Sequence, residues 1–218
     1  MRARLTRALD CFLSHTSMSN PFDEIMHRAG WNLEVLHDRL LSLGYRFSHP
    51  ESALLSPSPE FGGGIEFLEA HIGRVPRALA TFYRVVGSVD FTGGHPEWEG
   101  CEYPDPIVVE PVSHAVSEAK EFLELESPDE YWGSDSGIFR VPIAPDYYHK
   151  EDVSGGMWYG VEVPNHKDNP ELLEEWHHTT FVGYLRLCFE WGGFPGLERA
   201  EANHTWPLAK LKEGLAAI

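Results

Sequence analysis

Basic residues are scarce in this 218-residue sequence, which has 17 Lys and Arg against 34 Asp and Glu and a formal charge of −17. Nucleic-acid binding depends on clustered Lys and Arg that contact phosphates, so we expect no nucleic acid among its partners. No run of 18 apolar residues occurs either, and we expect no membrane partner and no membrane-spanning helix. The acidic charge permits a partner with a basic surface, and the alternative is that it serves only solubility.

Cysteine is also rare, with Cys11, Cys101 and Cys188 far apart and no CxxC pair. This spacing predicts neither a zinc ribbon nor a disulfide framework, and it fits a cytoplasmic location. Cys188 lies on an apolar helical face, where we expect a small core residue.

Familiar catalytic motifs are missing from the sequence. It contains no HExxH or HxH, and no GxSxG surrounds Ser154. The run Gly62–Gly64 lacks the Lys and Ser or Thr of a phosphate loop and does not fit GxGxxG. We therefore predict a protein that is not an enzyme, with no catalytic residues, no metal ligands and no cofactor.

The acidic residues are unevenly distributed. Residues 97–135 contain twelve of them and a single basic residue, Lys120. Aromatic residues alternate with these acids, as is typical of anchors on a charged protein-binding surface. We predict partner contacts at Trp98, Glu99, Asp129, Glu130, Trp132 and Asp135. The alternative is a solvated acidic face whose aromatic side chains turn inward.

A polar loop contains Asp146, His149, Lys150 and Asp152. One His with two carboxylates spaced three residues apart could bind a metal, and the His could act as a general base. The alternative is a structural loop network, because Pro145 and the pair Gly155-Gly156 oppose a long helix. The role of this loop is left open.

Apolar periodicity predicts helices that alternate irregularly with short strands, which favours an α+β fold. Strands are predicted at 45–47, 88–91, 107–109, 138–143 and 157–163. Residues 48–64, rich in Pro and Gly, are predicted as a loop. Helices are predicted at 21–29, from Asn32 to Gly44, at 66–72, from Pro76 to Gly87, from a Ser113 cap through Leu123, at 170–176, from Thr179 or Thr180 to Gly192, and at 207–217.

The first seventeen residues differ from the remainder of the chain. They combine three Arg with an apolar stretch that Asp10 interrupts, and Met18 then offers a second start. We expect residues 1–17 to be a disordered or mis-called extension and residues 18–218 to form a single domain.

Four stretches together resemble the SUKH superfamily, also called SMI/KNR-like domains. They are VPRALATFYRVVGSVDFTGGHPEW at 75–98, YPDPIVVEP at 103–111, IAPDYYHKEDVSGGMWYGVEVP at 143–164 and TTFVGYLRLCFEWGGFPGLE at 179–198. Their order and spacing carry the resemblance, which covers about residues 30–198.

The resemblance implies a single α+β domain in which helices pack on a mostly antiparallel sheet. It also implies a bacterial immunity protein, a non-catalytic module that binds and neutralises a cognate toxin, a nuclease being one candidate. No catalytic motif or interface residue is carried over from the family. A regulatory scaffold for an endogenous protein is the first alternative, and a metal-dependent enzyme centred on His149 is the second.

Overall fold

The structure is a computed structural model that describes residues 20–59, 61–127 and 137–218. The predicted extension, residues 1–17, lies outside the described residues. The helices are α1 (Pro21–Leu43), α2 (Phe61–His71), α3 (Arg77–Val85), α4 (Val112–Glu124), α5 (Phe181–Glu190) and α6 (Leu208–Lys212). The strands are β1 (Arg46–Phe47), β2 (Leu54–Leu55), β3 (Ser88–Asp90), β4 (Gly93–Gly94), β5 (Val108–Val109), β6 (Phe139–Ala144) and β7 (Tyr159–Val163).

The predicted α+β class is confirmed, but the strands form three small sheets instead of one. β1 pairs with β4, β3 lies between β2 and β5, and β6 pairs with β7. All these pairings are antiparallel. None of the helices in the described ranges is long and apolar enough to cross a bilayer.

Helix α1 is continuous, so the prediction of two helices separated at Gly30 is wrong. Asn20 caps its start by accepting a hydrogen bond from the Phe22 amide, and Gly44 ends it in the left-handed conformation, with φ of 89°. Its buried apolar residues continue in register through Gly30: Met26, Ala29, Leu33, Leu36 and Leu40. The free energy gained by burying this stripe outweighs the loss of about 1 kcal/mol in helix stability that a mid-helix glycine causes.

Helix α2 corrects the loop predicted for residues 48–64. It begins at Phe61 and includes the whole run Gly62–Gly64. Gly64 allows α2 to approach α4 closely, since a Cβ added at Gly64 would lie 3.0 Å from Val112 Cγ2. Strand β2 occupies another part of the predicted loop.

Helix α4 begins earlier than predicted. Pro111 occupies the N-cap position without a side-chain cap bond, so Ser113 is not the cap. Val112, Ala115 and Ala119 form the buried face, whereas Leu123 is exposed. Pro111 prevents an earlier start, because it has no N–H for a helical hydrogen bond and disfavours the helical conformation at the residue before it.

Helix α5 agrees with the prediction, and Thr180 is its cap, accepting a hydrogen bond from the Gly183 amide. Cys188 is completely buried on its core face. No helix forms after Pro170, because Glu171 and Leu173 make isolated bridges with Thr180 and Gly160. The C-terminal helix is also shorter than predicted, since α6 covers five residues.

Asn32 joins α1 to the C-terminal segment. Its fully buried amide donates to the Ala216 carbonyl over 2.9 Å and accepts from the Ala216 N–H over 2.7 Å. The predicted helix cap at Asn32 is therefore wrong, since the residue lies in mid-helix and bonds a segment distant in sequence.

Asn32→Leu should lower the free energy of unfolding by about 2 kcal/mol, because both Ala216 groups lose their partner. Urea unfolding measures this loss. The same substitution in a chain that ends at Gly214 should cost clearly less, since those partners are already gone. An equal loss in the two chains would contradict the assignment.

Candidate functional site

The predicted site residues fall into two groups. Asp146, His149, Lys150 and Asp152 lie in the loop between β6 and β7. Trp98 and Glu99 lie between β4 and β5. The other predicted partner contacts, Asp129, Glu130, Trp132 and Asp135, lie outside the described residues.

A buried ion pair fastens the loop to the segment before β5. Lys150 Nζ donates to Asp105 Oδ1 over 2.6 Å, and both side chains are completely buried. The Tyr159 hydroxyl donates to Asp105 Oδ2 over 3.4 Å. The Lys150 ammonium also lies 4.9 Å and 5.9 Å from the ring centroids of Tyr159 and Tyr184, within cation–π distance. Lys150 is thus part of the interior of the protein.

Asp105 reaches this position through an uncommon backbone conformation. Its φ is 52°, in the left-handed region, between Pro104 and Pro106. Asp and Asn tolerate that region better than most residues. In the sequence Asp105 is one of the twelve acidic residues of 97–135, and only its position between two prolines distinguishes it from the others.

Asp105→Asn should lower the free energy of unfolding by about 3–5 kcal/mol, because it preserves the backbone preference but leaves the Lys150 ammonium buried without its counter-charge. Urea unfolding measures the loss. Adding Lys150→Met should restore part of the stability, since no buried charge then remains. A double variant whose loss equals the sum of the two single losses would contradict this account.

Asp146 organises the rest of the loop. Its Oδ1 accepts from the His149 amide over 2.8 Å and lies 2.7 Å from His149 Nδ1, and its Oδ2 accepts from the Gly156 amide. A Cβ added at Gly155 would lie 2.6 Å from Asp146 Oδ2, so glycine is required at that position for this close approach. The Asp146 carboxylate is therefore occupied by the loop itself.

Asp152 is exposed and ends the short 3₁₀ turn His149–Glu151 with φ of 57°. Within residues 20–59, 61–127 and 137–218, no three His, Cys, Asp or Glu side chains are placed to hold a metal ion together. The spacing of Asp146, His149 and Asp152 corresponds here to a turn.

Glu151 is the half-buried carboxylate of this loop. Burial, followed by the nearby carboxylates of Asp152 and Asp105, raises its pKa to about 7, and Lys150 offsets part of this rise. The unfolded chain releases the proton near pH 4.5 and the folded chain near pH 7. The stability linked to the protonated form is therefore complete below pH 4.5 and is lost as the pH rises to about 7.

Glu151→Gln cannot ionise, so relative to wild type it should be more stable by about 1 kcal/mol at pH 8, a modest value because the group is partly exposed. At pH 4.5 the two proteins should be nearly equal in stability by urea unfolding. The control Glu201→Gln, at an exposed position, should change stability by a similar amount at both pH values. A gain from Glu151→Gln that is independent of pH would contradict the burial of its charge.

Aromatic side chains and one arginine cluster beside the loop. The Arg199 guanidinium lies 4.5 Å from the ring centroids of both Tyr147 and Trp176. Tyr103 lies 5.9 Å from Tyr147 and 5.0 Å from Tyr148, centroid to centroid. These four aromatic side chains are half-buried and Arg199 is exposed. We call these five residues the tyrosine–arginine surface.

Main-chain hydrogen bonds hold the two distant segments of this surface together. The Gly196 amide donates to the Pro104 carbonyl over 2.9 Å, and the Glu201 amide donates to the Gly100 carbonyl over 3.1 Å. A Cβ at Gly196 would lie 2.1 Å from the Tyr103 carbonyl oxygen, so glycine is required there. Between the segments lies a cavity of about 540 Å³ that Tyr103, Arg199 and Glu201 help to line.

Exposed carboxylates lie beside the tyrosine–arginine surface on the same segments. They are Glu99, Glu102, Asp152, Glu198 and Glu201. A hydrogen bond to Glu102, the largest influence, raises the pKa of the Tyr103 hydroxyl. The surface thus combines aromatic rings and one guanidinium with an acidic margin.

Trp98 is half-buried and turned toward the core. Its ring centroid lies 4.6 Å from that of His95, 5.0 Å from that of Trp206 and 5.6 Å from that of Tyr45. Glu99 is exposed, and its backbone pairs with Thr205. Of these two residues, Glu99 is therefore the more available to a partner.

His177 forms a carboxylate chain that sequence reasoning missed. Its Nδ1 bonds the completely buried carboxylate of Glu175, and its Nε2 lies 2.9 Å from Glu198 Oε2. The sequence signal for this chain was Glu175, which lies two residues before His177. Its carboxylate also accepts a hydrogen bond from the His177 amide over 3.1 Å. These hydrogen bonds hold in place the side chain of Glu198, the residue before Arg199.

Comparisons with protein-family models, with curated proteins and with solved structures find no match for this chain. The resemblance to the SUKH superfamily stays a prediction from the sequence.

Proposed function

We propose that this chain is a non-catalytic binding protein that neutralises a basic toxin by direct contact, in the manner of a bacterial immunity protein. The tyrosine–arginine surface with its acidic margin is the observation that carries the proposal. Tyr, Trp and Arg are the residues that most often dominate the binding energy of protein interfaces.

The rigidity of the surface supports this role. Tyr147 and Tyr148 belong to the loop that the Lys150–Asp105 pair and the Asp146 hydrogen bonds hold in place. Arg199 is already stacked between two rings before any partner arrives. Binding then immobilises few additional side chains, which leaves more of the contact energy for affinity.

The charge of the protein supports a basic partner. The chain has a formal charge of −17, and exposed carboxylates border the aromatic residues. Such an acidic surface accelerates the encounter with a basic protein and makes the association rate sensitive to salt. A nuclease toxin carries such a basic surface, because it must bind phosphates. Blocking that surface requires no chemistry from this chain.

Tyr147→Ala and Arg199→Ala should each weaken binding to the cognate toxin domain, to be sought among the neighbouring genes, by about 30-fold, the loss typical of a central anchor. Glu102→Lys should act mainly on the association rate and should reduce its salt dependence. Bio-layer interferometry at low and high salt measures these effects, and growth of cells that co-express the toxin measures protection.

The matched control is Trp31→Ala, which removes an exposed aromatic side chain from α1 and should leave binding and growth rescue unchanged. Full rescue by His149→Ala would support a binding role. Loss of rescue in His149→Ala with binding retained would contradict the proposal and favour catalysis. Wild-type affinity in both Tyr147→Ala and Arg199→Ala would contradict the assignment of the surface.

A further inference from the structure

A second cavity, of about 750 Å³, lies between α2 and α4, and none of the five residues of the tyrosine–arginine surface lines it. Its size falls within the range of about 300–1,000 Å³ that is usual for small-molecule sites. Its walls are mainly apolar, and α3 contributes Tyr83 to its lining. The apolar side chains that line it are Leu55, Phe61, Phe67, Pro111, Val112 and Val116, and five serines also reach the lining: Ser56, Ser58, Ser88, Ser113 and Ser117.

The glycines of α2 keep this cavity open. Each glycine in a helix costs about 0.5–1 kcal/mol relative to alanine, so a run of three needs a reason. At Gly64 the reason is the close contact with Val112. At Gly62 and Gly63 an added Cβ would meet no atom within 4 Å, so packing does not require glycine there. Gly63 lines the cavity, and a larger side chain at that position would have open space in which to occupy the cavity entrance.

Tyr83 supplies a polar group that has no partner. Its side chain is 1% exposed, and its buried hydroxyl makes no hydrogen bond. An unsatisfied buried hydroxyl is unfavourable by about 1–3 kcal/mol, which a ligand atom in the cavity would relieve. Burial and the nearby Glu110 carboxylate raise the pKa of this hydroxyl, so it keeps its proton and acts as a donor.

The charges around the cavity act in opposite directions on a charged ligand, since Lys120 attracts an anion and Glu110 repels it. Lys120 is the one charged residue among the described residues that line it, and its ammonium lies over the Phe67 ring, 5.6 Å from the centroid. An anion placed at Tyr83 would be repelled by Glu110. We propose that this cavity binds an uncharged, mainly apolar small molecule whose carbonyl or hydroxyl oxygen accepts a hydrogen bond from Tyr83.

Three probes of similar shape test the proposal on the full chain by isothermal titration calorimetry. Benzylacetone carries a carbonyl, butylbenzene has no acceptor, and hydrocinnamate is an anion. Benzylacetone should bind about tenfold more tightly than butylbenzene, the usual effect of one hydrogen bond, and hydrocinnamate should bind more weakly than benzylacetone. In Tyr83→Phe the difference between benzylacetone and butylbenzene should disappear.

Gly63→Leu should abolish the binding of all three probes, whereas Gly62→Leu should leave it unchanged, because Gly62 does not line the cavity. Tyr83→Phe should not reduce the free energy of unfolding, since the hydroxyl has no partner to lose. No binding by any probe, equal affinity of wild type for benzylacetone and butylbenzene, or tighter binding of hydrocinnamate would overturn the proposal. So would a destabilised Tyr83→Phe.

Discussion

The ion pair between Lys150 and Asp105 is the constraint on which the rest of the proposed binding site depends. Burying two charges costs roughly several kcal/mol of hydration free energy for each ion, and only a close, hydrogen-bonded pairing offsets this cost. The distance between the two charged groups therefore cannot vary much. The pair therefore fixes the β6–β7 loop against the segment before β5. Tyr147, Tyr148 and Tyr103 extend from these two segments, and their mutual packing follows from that fixed distance.

The two proposed sites use opposite strategies. At the tyrosine–arginine surface, polar and aromatic groups are bonded to one another before any partner arrives, and Glu175, His177 and Glu198 form such a chain. In the cavity beside α2, volume is left empty and the Tyr83 hydroxyl is left unbonded. The first arrangement suits a large rigid partner, and the second suits a small molecule that supplies what is missing.

Local patterns in the sequence were sufficient for much of the fold. Pro76, Thr180 and the apolar stripe of α5 predicted the helices that they begin or form, because capping and periodicity act within a few residues. Gly30 and Gly62–Gly64 misled the prediction, since their low helix propensity was overridden by packing. The Lys150–Asp105 pair joins residues 45 positions apart, and no local pattern identifies which carboxylate a lysine will meet.

The hydrogen bonds that bring Gly196 and Glu201 onto the segment 100–104 have a consequence for synthesis in the cell. These contacts span almost half the chain, since Cys101 and Gly196 are 95 positions apart, and such non-local contacts form late in folding. The tyrosine–arginine surface therefore cannot assemble on a nascent chain until Arg199 and Glu201 have emerged from the ribosome. A partially synthesised copy would offer a partner only isolated fragments of this surface.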